Sequence, residues 1–536
     1  MTALRSRLAR GCLLAAALAS AVPAPLVAQN APAVRLPSLG DAGGEDFSVG
    51  TERRLGEQIM SMVRRDPAYF DDPLLLEYVQ TLWAPLMAAA RARGNVGPDL
   101  DSAFAWQTFL VRDRSVNAFA LPGGYVGVHL GLMAVTSSRD ELASVLAHEL
   151  SHVTQRHIAR GIASANRQSL VGLAAMVLGV LAASRANSTD AAQAVIVGSQ
   201  AAMVQGQLNF SRDMEREADR IGWGVFQDSG FAPAGMAAMF ERLENASRLT
   251  DSGAYPYLRS HPLTIDRIGE ARSRIEASSS AAQPAPALLM HSLMQARARV
   301  LMDPAVQSLR RAQALEAAGA PGPERVAALY GSALASLELR EPGRAQAALD
   351  AALPLVRGAA SGGDDEARAR GALTLAQAQL ALAQGQPGRA LALLDGAAPP
   401  GAARGWLFAR AQAALAASRD GDAPPAVRQS LEALQTWVAE SKGDAAAWQW
   451  LSQCADRLGL KLRSLRAAGE AQAAGGDLAG AIDRLRAAQR QARSGPAPDF
   501  IEASIIDSRL RELTAQRRAE LAELRGSPRE ERPPGP

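Results

Sequence analysis

The stretch Ser138-Arg-Asp-Glu141-Leu-Ala-Ser-Val-Leu-Ala-His148-Glu149-Leu-Ser-His152-Val-Thr-Gln-Arg-His157 decides how the rest of the chain is read. Its opening, Ser138-x-x-Glu141, fits a capping box, in which the first side chain satisfies an orphan amide of a helix N-terminus. Apolar Leu142, Val145, Leu146 and Val153 then share one flank, which predicts a buried helix from about Asp140 to Ala163. Residues four apart on a helix are rotated by only about 40°, so His148 and His152 aim their imidazoles at one point. Zn2+ accepts imidazole nitrogens at about 2.0–2.1 Å, which makes this pair a candidate metal site. Glu149 follows the first histidine directly and lies beside the metal position without being forced to bind it. From there its carboxylate can take a proton from an attacking water. A surface helix with solvated His and Glu would carry the same pentapeptide, but the apolar flank argues for burial. His157 comes five residues after His152, about 140° around the axis, and is expected not to share the metal. Neither is His129, in a predicted strand, nor His291, further along the chain.

A second helix supplies the carboxylates. Periodicity places it from about Asp213 to Asp228, ending at Gly230. Glu215 and Asp219 are four apart and share a face. Glu215 can complete a three-ligand site, and Asp219 can accept a hydrogen bond from the non-metal nitrogen of a ligating histidine, His148 being the expected one. Glu217 competes for the ligand role but points about 200° away from Glu215. An exposed acidic face partnered by Arg212, Arg216 and Arg220 is the plainer reading. Upstream, apolar residues recur at helical spacing from Gly50 to Arg93. Phe104 to Val111 then reads as a strand, and Ser115 to Leu130 as two short strands around the Pro122-Gly123-Gly124 turn. The apolar segments 170–183 and 193–204 are shorter than a membrane-spanning helix, which needs roughly 20 residues. They suit core packing, with peripheral membrane contact through 170–204 as the functional alternative.

The chain has 536 residues, 57 basic and 54 acidic, with only 4% aromatics. So even a charge balance gives no reason to expect nucleic acid. Arg5, Arg7 and Arg10 precede an apolar run from Cys12 to about Val22 and small residues near Ala24 and Ala28, the pattern of a cleavable signal peptide over 1–28. That predicts export to the periplasm, a mitochondrial presequence and a retained membrane anchor being the rival readings. Residues 29–48, rich in Ala, Pro and Gly, read as a linker. Cys454 is left without an intramolecular partner once Cys12 is removed, and reads as a small core residue. After a Ser/Ala/Pro linker at 278–286 the sequence turns alanine-rich and helical. Pro342-Gly-Arg-Ala and Pro387-Gly-Arg-Ala, 45 residues apart, and Ala479-Gly-Ala-Ile each read as a turn opening a helix. They fit degenerate tetratricopeptide-like repeats over 287–520, or an irregular helical solenoid. A disordered tail is expected over 521–536.

Asn117-Ala118-Phe119-Ala120 with Gly123-Gly124, the His148–His157 segment, Glu215-Arg-Glu-Ala-Asp219-Arg-Ile-Gly222 and Ser260-His261-Pro-Leu263 together resemble a gluzincin class. It holds the HtpX peptidases, the CaaX prenyl endopeptidases and the mitochondrial proteases of the Oma type. Within that class the chain resembles more specifically the BepA-like, β-barrel assembly-enhancing branch, over roughly residues 50–275. The resemblance implies a mainly α fold: a gluzincin-type α+β metalloprotease domain with a small β-sheet over 49–277, then the α-helical tetratricopeptide-like repeat domain. It implies one Zn2+ per chain, held by His148, His152 and Glu215, with Glu149 and Asp219 as catalytic residues. His261 can close onto the metal as a fourth ligand, although donating to an oxyanion or capping a helix before Pro262 are alternatives. Arg267 could stabilise developing charge or form a structural salt bridge. Asn117, Ala118, Phe119 and Ala120 would form an edge strand that pairs with substrate backbone, an ordinary hairpin being the alternative. The implied function is endopeptidase action on misfolded or stalled outer-membrane proteins. The repeat domain would engage the β-barrel assembly machinery, which would put the protein in the periplasm and in association with the outer membrane. The second functional class is a periplasmic chaperone or adaptor with a latent or structural zinc site. The resemblance also implies disulfides in the repeats, from which this chain departs with Cys454 alone.

Overall fold

A computed structural model describes residues 47–164, 212–249, 257–258, 261–277, 288–317, 322–360, 362–397, 403–418, 425–494 and 499–526. The expected signal peptide, nearly all of the 29–48 linker, the apolar segments 170–183 and 193–204, Ser260 and the 278–286 linker lie outside those residues. The N-terminal half is built from α1 (Val49–Val63), β1 (Tyr69–Phe70), α2 (Pro73–Ala92), α3 (Pro98–Ala103), β2 (Gln107–Val111), β3 (Ala118–Leu121), β4 (Tyr125–His129), α4 (Leu130–Val135), α5 (Arg139–Thr154), α6 (His157–Ser164), α7 (Arg212–Asp228), α8 (Ala234–Leu249) and α9 (Ile265–Ala277). The helical reading of 50–93 is corrected in one respect: the chain leaves the helix after Val63 and adds a two-residue strand before Asp72 restarts it. Asp72 accepts the Leu75 amide at 3.0 Å as N-cap, with Pro73 at the first helical position.

The sheet order is β1-β2-β4-β3, with β2 and β4 parallel and both outer pairings antiparallel. β3 is therefore an edge strand, and it packs against α5. Gly127 of β4 has no alternative residue: a Cβ there would stand 2.6 Å from the Phe119 ring and 2.9 Å from that of Phe109.

The helix expected from Asp140 to Ala163 is interrupted. α5 ends at Thr154, and Arg156 adopts a left-handed φ of 51° before α6 begins at His157. Arg156 is held in that conformation by Glu52 at 2.9 Å and the Phe47 carbonyl at 2.6 Å. At the start of α5, Ser138 caps the Glu141 amide at 3.2 Å, while the Glu141 carboxylate accepts from the Ser137 amide and from Arg242 instead of closing the capping box.

Beyond 288 the described chain is helical. α10 (Leu289–Met302) packs on α4, and helices then follow one another, neighbours in sequence mostly in contact, to Phe500–Gly526. The joints before Pro342, Pro387, Lys461 and Leu478 share one construction. A left-handed residue (Arg340, Gly385, Gly459, Gly476) precedes an amide that reaches back five residues, as Glu341 does to the Ser336 carbonyl at 2.8 Å. This is a Schellman closure, and it explains why the Pro-Gly-Arg-Ala fragments open helices. The last helix overruns the tail expected from 521, because Ala519-Glu-Leu-Ala-Glu-Leu-Arg525 are strong helix formers up to Gly526. One continuous cluster of buried apolar residues runs from Phe47 to Ala413 and so includes both halves. No helix among the described residues is long and apolar enough to cross a membrane.

Candidate metal centre

α5 presents His148 and His152 on one face, and α7 crosses it closely. Gly222 makes that approach feasible, since a Cβ there would lie 3.1 Å from the Ala147 carbonyl and 3.2 Å from Ser151 Oγ. α7 thereby brings Glu215 to the two imidazoles, and the segment before α9 adds His261. Four candidate donor atoms, one from each of these buried residues, lie within 4.8 Å of one another. His148 Nε2 is 3.0 Å from His152 Nε2 and 3.3 Å from His261 Nδ1. Glu215 Oε1 is 3.0 Å from His261 Nδ1 and 3.5 Å from His152 Nε2. Tetrahedral Zn2+ at about 2.0–2.1 Å from each donor requires donor separations of about 3.3 Å, so both the spacing and the chemistry of this set fit the ion.

Each side chain has an outer support. Asp219 Oδ1 is 3.0 Å from His148 Nδ1. Arg267 donates to both oxygens of Asp219 at 2.6 and 2.9 Å, lies 3.0 Å from Glu215 Oε2, and donates to the Pro262 carbonyl at 2.9 Å. It thus ties both α7 carboxylates to the His261 segment as a buried structural cation. Burial alone would raise Asp219, but Arg267 and His148 hold it down to about 2. Burial likewise opposes ionisation of Glu215, and the His261 and His148 imidazoles push it far below the carboxylate range. Burial disfavours the charged form of His148, yet Asp219 and Glu215 lift it to about 10, while burial, with His148 and His261 nearby, pushes His152 well below 6.5. The two buried carboxylates thus demand positive charge at this point, which a divalent cation satisfies.

Glu149 is fully buried, its Oε1 is 3.5 Å from His261 Nε2, and neither carboxylate oxygen has a hydrogen-bond partner. A buried carboxylate left this way beside a metal-type cluster is a candidate for a functional role. Ala118 to Ala120 lie in the edge strand, and Asn117 stands just before it. Phe119 turns its ring into the sheet, edge-on to Phe109 and His129. The Asn117 side-chain oxygen is buried without a partner.

Two features were not foreseen from the sequence: the residue Tyr257, and the contact made by His157, which stays outside the four-donor set. Tyr257 packs its ring 4.7 Å from His261 and 6.4 Å from His148, and its amide donates to the Val116 carbonyl at 3.4 Å, next to the start of β3. Its place four residues before His261 was the available signal. His157 is the other: the break at Arg156 swings it back onto His152, with the two Nδ1 atoms 2.9 Å apart. His129 and His291 stand away from the cluster, bonded to Ser115 and to Tyr78 respectively.

A helix-borne H-E-x-x-H facing a carboxylate from a second helix, beside a small sheet with its edge strand along the first helix, defines the class: a zinc metallopeptidase domain. Residues 83–275 match peptidase family M48. Over 250 residues, 47% of this chain and 49% of the relative, it is 39% identical to a Vibrio cholerae serotype O1 protein assigned provisionally as a β-barrel assembly-enhancing protease. Over 265 residues, 48% and 51% of the two chains, it is 34% identical to the β-barrel assembly-enhancing protease of Escherichia coli K12. Over 197 residues, 35% and 53%, it is 29% identical to the mitochondrial metalloendopeptidase OMA1 of Saccharomyces cerevisiae. The chain thus spans about half the length of the curated relatives it matches.

Proposed function

We propose that this chain is a zinc-dependent endopeptidase acting on misfolded or stalled outer-membrane proteins in the periplasm. The observation that carries the reading is the four-donor cluster with a buried Glu149 carboxylate beside it that has no hydrogen-bond partner. His148, His152 and Glu215 would hold the ion, and Asp219 would fix the His148 ring through its outer nitrogen. When bound, Zn2+ supplies Lewis acidity, polarising a carbonyl oxygen and lowering the pKa of water. Glu149 takes the proton from the attacking water and delivers it to the leaving amine. Ala118 to Ala120 seat an extended substrate backbone along the outer edge of β3, with Asn117 at its entrance. Arg267 serves as a positioning residue for Asp219 and Glu215, not as a donor to developing charge.

His261 fills the fourth donor position, and its Tyr257 neighbour covers the start of β3. Both must withdraw before water and substrate enter, so this arrangement is a closed one. That observation also supports the second reading, a chaperone or adaptor with a latent zinc site. The helical region beyond 287 would recruit clients and the β-barrel assembly machinery, with the name shared by two of the relatives as support. Casein degradation decides between the two readings. Glu149→Gln should abolish it while retaining zinc, and His261→Ala should raise it. Equal and negligible cleavage by wild type and His261→Ala, with full rescue of outer-membrane defects by Glu149→Gln, would favour the adaptor.

A further inference from the structure

His157 and Glu217 belong to no part of the proposed chemistry, yet they form a chain leading to it. His152 Nδ1 meets His157 Nδ1 at 2.9 Å, His157 Nε2 meets Glu217 Oε2 at 3.1 Å, and Arg160 holds the same oxygen at 2.8 Å. His157 is fully buried, whereas Glu217 is partly exposed. The hydrogen-bond directions are determined by chemistry. An imidazole that binds a cation through Nε2 carries its proton on Nδ1, so His152 donates. His157 Nδ1 must then accept, which places its own proton on Nε2, where Glu217 accepts it. Each link has one donor and one acceptor, and the chain ends on a carboxylate neutralised by a partly solvated arginine.

We infer that His157 and Glu217 are positioning residues that fix the ring plane and tautomer of His152, as Asp219 does directly for His148. The inference rests on the reading that His152 binds the metal. It gives each α5 histidine its own carboxylate from α7, Asp219 in direct contact and Glu217 through an inserted imidazole. The insertion follows from geometry: Glu217 faces away from Glu215 on α7 and cannot reach His152 itself. The left-handed turn at Arg156 is what brings His157 into the gap. Outer partners of this kind typically govern metal affinity by about 10–100-fold.

The test is zinc affinity of the full chain, measured by competition with a chromophoric chelator, together with the visible spectrum of the Co2+-loaded protein. His157→Leu should weaken zinc binding by about 10–100-fold and shift the Co2+ bands. His157→Asn, whose side-chain oxygen stands near the Nδ1 position and accepts the same bond, should recover most of the affinity and the wild-type spectrum, which a purely packing role would not produce. Unchanged affinity and spectrum in a folded His157→Leu chain would overturn the proposal. Should that variant fail to fold, Glu217→Ala decides: weaker binding supports the relay, and equal binding overturns it. His152→Ala separates the two levels. If it keeps its zinc, the metal reading of His152 falls and the relay with it; if it loses zinc while His157→Leu and Glu217→Ala do not, the relay alone falls.

Discussion

Replacing Arg297 by Met should destabilise the folded chain by about 3–5 kcal/mol, the range for stranding one member of a buried ion pair. Arg297 reaches from α10 to Asp72 at the head of α2, with two bonds of 2.8 and 2.6 Å, and donates a third to Tyr330 Oη at 3.1 Å. Arg and Asp side chains are each only 8% exposed. Two unit charges about 4 Å apart attract by about 4 kcal/mol at an effective dielectric constant near 20, of the same order as that loss. Methionine refills much of the volume, so the loss comes from the unpaired Asp72 carboxylate and not from a cavity. Asp72→Asn removes the charge and keeps a side-chain oxygen for the Leu75 amide, so in the Arg297→Met background it should restore stability. The assay is urea unfolding of the two single variants and the double variant. The expected coupling is about 2 kcal/mol or more, within the range for contacting residues. Additive effects, or single losses below about 1 kcal/mol, would refute the argument that this pair fastens the two halves.

His291 accepts from Tyr78 Oη at 2.6 Å and donates to the Thr136 carbonyl at 3.0 Å, and burial pushes its pKa below 6.5. The unfolded chain takes up this proton near pH 6.5 and the folded one does not, so His291 stabilises fully above that pH and progressively less as pH falls below it. Melting temperatures between pH 7.5 and 5 should fall less steeply for His291→Gln than for wild type; parallel profiles would contradict this. Cys454 is fully buried and burial pushes its thiol up to about 12, so iodoacetamide at pH 8 should leave it unmodified until denaturant is added, as mass spectrometry will show. Gly222→Val should destabilise by about 1–3 kcal/mol through overpacking at the α5–α7 crossing and weaken zinc binding measurably; wild-type zinc affinity would show that the crossing tolerates a side chain.

Much of the site was legible because a helix has a fixed period. His148 and His152, and Glu215 and Asp219, are each four apart, and that spacing alone predicted their shared faces and the divergent direction of Glu217. The period also produced the main omission. Applied through residues 155 and 156, it turned His157 away from His152, because Gln155-Arg156 contains neither Gly, Pro nor Asn to signal a left-handed residue. The forces that impose it, Glu52 and the Phe47 carbonyl, come from about a hundred residues upstream. Arg340 was hidden for the same reason, standing where Gly385 and Gly459 advertise the turn. β1 is too short for any alternation to show, and exists only because Tyr69 and Phe70 pair with Val111 and Leu110.

The composition change near 278–286 reads as a boundary between separable halves, but the contacts across it argue otherwise. Three side chains of α10 hold carbonyls just ahead of Ser138, the N-cap of the metal-site helix: His291 and Gln295 on Thr136 at 3.0 and 2.6 Å, and Arg299 on Ala134 at 3.0 Å. Asp72, the N-cap of α2, is covered by Arg297. Arg404, further along the helical region, bonds both Asp71 at 2.5 and 2.6 Å and Asp444. The helical half thus satisfies buried polar groups at the entrances of two protease helices, groups that would otherwise be stranded beneath a shared apolar cluster. Among the described residues the one cysteine, Cys454, forms no disulfide, and ion pairs occupy the junction. Any displacement of the helical region would therefore be felt first at residues 134–138, where the helix carrying His148, Glu149 and His152 begins.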